Sequence, residues 1–241
     1  MMANHVLLNN VEHKDLKVIQ DFSLSPDAKQ MCVAAFPVEA RHAQAHYPLV
    51  FAKDGEGNFQ MVALFGLEQG ENLFLDDDKW HASYLPLVIE KGPFLIGRSN
   101  TDGQERLSIH VDMDDPRVVN EPHDSSVDVF LPHGGNSEYI DNVANVLSTL
   151  HESQASHEQF IAALEANNLI ESFVVDIDLD GNGTNRLSGF YTINEDVLKS
   201  LDKDALGDLH EKGHLNTIYM MLASMSQLST LVTLKKNARE K

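Results

Sequence analysis

Asp112-Met-Asp114-Asp115-Pro116-Arg-Val-Val-Asn-Glu121-Pro122-His-Asp124 opens the stretch that decides the fold, and Pro132-His-Gly134-Gly135-Asn-Ser137 closes it. Its acids, prolines and glycines read as a connector over 112–136, because Pro and Gly punctuate regular structure. The hydrophobic period changes across it. Upstream, apolar residues come in short runs at 6–8, 31–36, 49–52, 59–66, 85–89, 94–97 and 107–111, each bounded by turn residues. Downstream, Ile140, Val143, Ala144, Leu147 and Leu150 recur three and four residues apart. Short apolar or alternating runs mark strands, and the 3.6-residue period marks helices. The expected class is therefore α+β: a strand-rich N-terminal part and a mainly helical C-terminal part containing one β-hairpin. One domain is expected over 1–241, with a sub-boundary in the connector 112–136.

Local signals extend this reading outward. Asp54-Gly55-Glu56-Gly57-Asn58 separates two of the runs and predicts a hairpin turn, since Gly supplies positive φ without steric cost. Pro37 predicts a short helix over 38–46, because Pro suits the first helical position. Beyond the connector, Ser137 is the expected N-cap of one helix. Ser156-His-Glu-Gln159 has capping-box spacing and predicts the start of another, with Phe160, Ile161 and Leu164 facing inward and Asn167-Asn168 ending it. Runs at 173–179 and 186–193 predict a hairpin around Asp180-Gly-Asn-Gly183. Asn194 is an expected cap, and Gly213 separates a helix over 203–212 from a longer one over 215–234.

Composition narrows the function classes. Lys and Arg number 18 against 37 Asp and Glu, a formal net charge of −19. Such a surface repels nucleic acid and anionic lipid, which are bound through Lys and Arg. The single cysteine, Cys32, excludes an internal disulfide and a Cys-rich zinc site, and its apolar surroundings predict a buried, inert thiol. Met-Met-Ala-Asn-His-Val has neither the basic nor the apolar region of a secretory signal. The uncharged run 215–234 is long enough for a bilayer, but Asn216, Thr217, Ser224, Ser226 and Gln227 dilute it. A soluble amphipathic helix, no membrane insertion and a cytoplasmic location are expected.

Chemistry-bearing patterns are sparse. Asp176-x-Asp178-x-Asp180-Gly181 imitates the start of a calcium loop, yet its twelfth position is Leu187 where the loop needs a bidentate Glu. In a strand the same three carboxylates share one solvated face. His110-x-Asp112, with His123 or His133, is half of a two-His-one-carboxylate iron site and supports an iron-dependent oxygenase as the alternative function. His42/His46 and His210/His214 sit four apart without the His-Glu-x-x-His form. Nucleophile elbows, phosphate loops and dinucleotide fingerprints are absent. No cofactor is expected. The densest segment is Gly66-Leu-Glu68-Gln-Gly-Glu71-Asn72-Leu-Phe74, followed by Asp76-Asp77-Asp78, Trp80 and Tyr84. Carboxylates beside aromatics suit a peptide or amine ligand. Glu68, Glu71, Asn72, Trp80 and Tyr84 are the expected binding residues, for a protein or peptide partner.

These residues also carry a resemblance. Phe36-Pro-Val-Glu39, Tyr47-Pro-Leu-Val-Phe51, Val62-Ala-Leu-Phe-Gly66, Glu71-Asn-Leu-Phe74, Trp80, Tyr84-Leu-Pro86 and Pro93-Phe94-Leu-Ile96 resemble the SapC family of bacterial surface-layer-associated proteins. Leu187-Ser-Gly-Phe-Tyr191-Thr-Ile-Asn-Glu195, Gly213-His-Leu215 and Ala223-Ser-Met-Ser-Gln-Leu228 extend the likeness over nearly the whole chain. The resemblance implies a non-enzymatic accessory role in surface-layer or peptide handling, or a structural surface-layer component. It implies a functional link to TonB-dependent receptors, flavin halogenase-like proteins and cupin-like proteins. It supplies no catalytic residue.

Overall fold

The computed structural model of the chain describes residues 4–101, 104–178 and 184–240. It is α+β, with strands concentrated in the N-terminal part and helices in the C-terminal half. Two compact units share the chain: residues 4–28, 77–80 and 87–152 form one, and 29–76, 81–86 and 153–240 the other.

The first unit holds two antiparallel three-stranded sheets. In one, Gln104–Asp112 lies between His5–Leu7 and Phe94–Thr101. In the other, Lys17–Ile19 lies between Val118–Val119 and Ser126–Asp128. The last two strands fall inside the stretch that reads as a connector. Asp115 and Arg117 explain the misreading. They form a buried two-pronged ion pair, at 2.9 Å from Nε and 2.7 Å from the guanidinium terminus. Val129 and Phe130 then enter the core with Leu16, Val18, Phe94 and Val111. The run at 85–89 gives a short helix, Leu87–Glu90, instead of the expected strand. It is confined between Pro86, suited to helix entry, and Gly92 at φ 60°.

The second unit is built on an antiparallel five-stranded sheet, ordered Ile170–Asp178, Thr184–Ile193, Leu49–Lys53, Phe59–Leu64, Cys32–Ala34. Leu49, Val50 and Phe51 are buried in succession, so both faces of the central strand are covered. The turn at 54–58 forms as the sequence predicts. Asp54 Oδ1 accepts from the Glu56 and Asn58 N–H groups at 2.9 and 2.8 Å, and Gly57 takes φ 91°. The turn expected at Asp180–Gly183 lies outside the described residues, as do Asp102 and Gly103.

The two helices expected after the connector are one helix, Glu138–Ala166, of 29 residues. Ser137 Oγ accepts from Ile140 N–H at 3.4 Å at its start. Ser156 caps nothing; its hydroxyl donates back to the Ser153 carbonyl at 2.9 Å, which satisfies it inside a continuing helix. Asn168, at φ 54°, ends the helix, with Leu169 N–H returning to Leu164 C=O at 2.9 Å.

Asn194 caps Glu195–Ser200 by accepting from Val197 N–H at 2.9 Å. Gly213 at φ 75° separates Lys203–Glu211 from the C-terminal helical stretch. The long helix expected there is interrupted: His214–Ser224, a 3-10 turn Met225–Gln227, then Leu228–Glu240. By length and composition alone His214–Ala238 is apolar enough to cross a membrane, at a mean hydropathy of 1.2. Here His214, Thr217, Ile218, Met221, Ser224 and Leu231 are buried on one stripe. Ser224 Oγ accepts from Leu49 N–H at 2.8 Å, tying this stripe to the central strand.

Candidate functional site

The expected binding residues divide among separate sets of partners. Glu68 and Glu71 come together on Lys235, which is buried; Lys235 lies 2.9 Å from Glu68 and hydrogen-bonds Glu71. Burial pulls the Lys235 ammonium down, and its bonds to the two carboxylates more than offset this, so its pKa is raised. Glu71 also organises its own turn. Its Oε2 accepts from Leu67 N–H at 2.9 Å, and its carbonyl oxygen fills the place that a Cβ on Gly66 would take. Asn72 Oδ1 accepts from Phe74 N–H at 2.9 Å. Phe74 is thereby held against Tyr47 and Phe65, at ring distances of 4.9 and 6.3 Å. The Glu-Asn-Leu-Phe motif thus folds as a self-capped turn that delivers Phe74 to the core.

Tyr84 donates to Glu39 at 2.8 Å, accepts at its carbonyl from the Tyr47 hydroxyl, and stacks on His42 at 5.7 Å. Glu39 is buried and also accepts from Phe36 N–H at 3.0 Å. Trp80 belongs to the first unit, half-buried, edge-on to Phe22 at 6.1 Å. Cys32 is half-buried rather than buried, and burial pushes its thiol pKa up, as an inert thiol requires.

The metal candidates do not assemble. Among the described residues no three of His, Cys, Asp and Glu gather in a way that could hold an ion. His110 and Asp112 share a strand, but the His110 ring lies over Gly97, occupying the space that a Cβ there would need. Asp112 is 3.8 Å from His5. Asp176 and Asp178 are solvated on one face of their strand with Ile177 buried on the other, and Arg186 is 3.8 Å from Asp176.

A different place in the second unit has the form of a site. A cavity of about 560 Å³ lies between the helix segment 154–165 and the strands and turn at 34–36 and 54–61. Two smaller ones, about 430 and 320 Å³, are lined by Phe173, Thr192, Lys199 and Leu222 among others, and by Pro37, Arg41, Ser156 and Thr217 among others. The strand bordering the cavity of about 560 Å³, Cys32–Ala34, is an edge strand, paired among the described residues only with Phe59–Leu64. Ala35 N–H donates to Met61 C=O at 2.9 Å and Phe65 N–H to Met31 C=O at 2.7 Å. In an antiparallel ladder the alternate residues point their main-chain groups the other way. Cys32 and Ala34 therefore present N–H and C=O to the open edge.

His157 is on the cavity wall, 7 % exposed, edge-on to Phe36 at 5.6 Å, and its Nδ1 has no hydrogen-bond partner. Desolvation lowers its pKa, with Glu158 opposing, so the ring is neutral at pH 7. An orphaned buried polar atom is uncommon and calls for an explanation. The sequence reading misses this site, although a signal exists. Ser153, His157, Phe160, Ile161 and Leu164 form one inward helical stripe, which places a histidine among apolar neighbours.

A model of the SapC family matches residues 8–231 of the 241-residue chain. The chain belongs to the SapC family. No curated protein and no solved structure matches it significantly.

Proposed function

We propose that this SapC protein is an accessory binding protein, taking up a peptide or a segment of a partner protein in surface-layer or peptide handling. One observation carries the reading: a cavity of about 560 Å³ lies directly beside an edge strand with unpaired main-chain groups. Pockets of several hundred Å³ are the size that encloses small ligands or side chains. An open edge adds the main-chain donors and acceptors by which extended peptides are held. The partners in this reading belong to the surface machinery that family resemblance implies, TonB-dependent receptors and flavin halogenase-like proteins included.

The test is fluorescence polarisation of the full chain against a library of labelled nine-residue peptides of varied sequence. Saturable binding is expected, and Ala162→Trp should abolish it. Ala162 is exposed on the cavity wall, so the indole fills the space without entering the core. If no peptide in the library binds, or if Ala162→Trp leaves binding intact, the reading fails.

A further inference from the structure

The cavity beside the open edge has a sign of charge as well as a shape. Its wall carries three carboxylates, Asp54, Glu158 and Glu165, and among the described residues no Lys or Arg lines it. The nearby Lys53 ammonium is engaged over the Phe59 and Tyr191 rings, at 4.8 and 5.5 Å. Glu158, Ala162 and Glu165 stand four and three residues apart, so one exposed helical stripe faces the cavity. Asp54 closes the opposite side from the turn, where main-chain donation from Asn58 first, and from Glu56 and Gly57, keeps its carboxyl below the ordinary range. His157, whose buried Nδ1 has no hydrogen-bond partner, is among the residues lining the same cavity. Acidic walls alone would mark only a solvated surface. The distinguishing feature is that they flank main-chain groups that have no strand to pair with.

We propose that the occupant is an extended basic segment of a partner chain, added to Cys32–Ala34 as a sixth strand, with a Lys or Arg side chain in the cavity among Asp54, Glu158 and Glu165. This rests on the peptide-binding reading above and states which peptides it concerns. Cys32 and Ala34 each offer one donor and one acceptor at the edge, enough to hold a short added strand through its main chain. Side chains of an added strand alternate between faces, so every second residue is directed to the cavity side. A basic side chain there meets three solvent-exposed carboxylates of opposite sign, whose summed attraction favours a basic occupant and is weakened by salt.

The experiment uses three labelled peptides of equal length, alternating Val with Lys, with Thr or with Glu, titrated against the full chain. The Lys peptide should bind at least tenfold more tightly than the Thr peptide, and the Glu peptide should not bind. Glu158→Lys with Glu165→Lys should weaken the Lys peptide at least tenfold. Asp208→Lys with Glu211→Lys, equally exposed but off the cavity, should not; this separates the site from the general charge of −19. Ala34→Pro removes the edge-facing N–H without touching a ladder bond and should abolish binding with the melting curve unchanged. Should Ala34→Pro unfold the chain, peptides N-methylated at alternate amides decide: one set should fail and the other bind. Equal affinity for the three peptides overturns the basic preference and leaves peptide binding standing. Binding insensitive to both Ala34→Pro and N-methylation overturns strand addition. A concentration-dependent dimer that displaces the peptide makes a second copy the occupant and overturns the proposal. Absence of binding by all three while other library peptides bind also overturns it, and silence across the whole library removes the function reading as well.

Discussion

The five-stranded sheet ends in two edges that are treated in opposite ways. Ile170–Asp178 is nine residues long, is kinked by an irregularity between Phe173 and Val175, and carries Glu171, Asp176 and Asp178 exposed along it. Length makes an edge dangerous as a template for stray pairing, and bulges and charges are the usual protection. Cys32–Ala34 is three residues long, has no charge and no bulge, and is flanked by a cavity. Only one of the two is defended. The lesson is that shortness alone limits aggregation at the second edge, the one that the proposed peptide would join.

The sharpest way to break this comparison is to place the same charge on both edges. Val33 is buried within the short edge strand, whereas Val174 is 47 % exposed on the long one. Val33→Asp should cost about 3–5 kcal/mol, because a buried charge without a partner is left behind. Val174→Asp should change stability by less than about 0.5 kcal/mol, as exposed substitutions do. Urea unfolding of the two variants beside the parent decides. Similar losses in both would mean that the short strand is no more embedded than the long one, and the contrast would disappear.

A second test removes the protection. Glu171→Thr, Asp176→Thr and Asp178→Thr together leave a long neutral edge with β-favouring side chains. The folded state should persist, with Arg186 losing only an exposed partner at 3.8 Å, worth under about 1 kcal/mol. Self-association should rise with concentration, read by size-exclusion chromatography with light scattering. A triple variant that stays as dispersed as the parent would show that the bulge suffices and the charges are incidental.

Legibility follows the range of the interactions. The strands at 49–53 and 59–64, the turn between them, the hairpin flanking 179–183 and the Asn194 cap depend on neighbours in sequence, and periodicity or turn chemistry finds them. The helix Glu138–Ala166 reads as two because Ser156 and Gln159 have the spacing of a start signal. The signal is overridden by tertiary packing: His157, Phe160 and Leu164 continue the buried stripe from Ser153. The stretch 112–136 reads as solvent-exposed because Asp115 looks like surface charge. Its partner Arg117, two residues on, neutralises it inside the fold. The cavity is illegible for a further reason. Which strand is an edge depends on pairing between Cys32–Ala34 and Phe59–Leu64, which are distant in sequence, and no local pattern records that. The dense segment 66–84 draws attention instead, and much of its polarity serves its own turn and the Lys235 ion cluster.

The smallest expected effect concerns the histidine that only the open side possesses. Burial lowers the pKa of His157, and Glu158 raises it less; His214 is lowered by burial and by Lys212. Both therefore sit below the ordinary histidine value of about 6.5 that holds in the unfolded chain. Just under that value the unfolded state binds more protons than the folded one, so stability must fall as the pH falls. The contribution is complete above about pH 6.5 and is lost as the pH drops through the lowered folded values. His157→Phe keeps a ring of similar size against Phe36, removes the orphaned Nδ1 and removes one of the two titrations. At pH 7.5 it should change stability by less than about 1.5 kcal/mol, in line with a volume-conserving core exchange. Between pH 7.5 and 5 its urea midpoint should fall more gently than the parent's, with the remaining slope assigned to His214. An identical slope in parent and variant would mean that His157 meets water or another partner in solution. The cavity wall would then be wetter than an enclosed subsite beside the undefended edge requires.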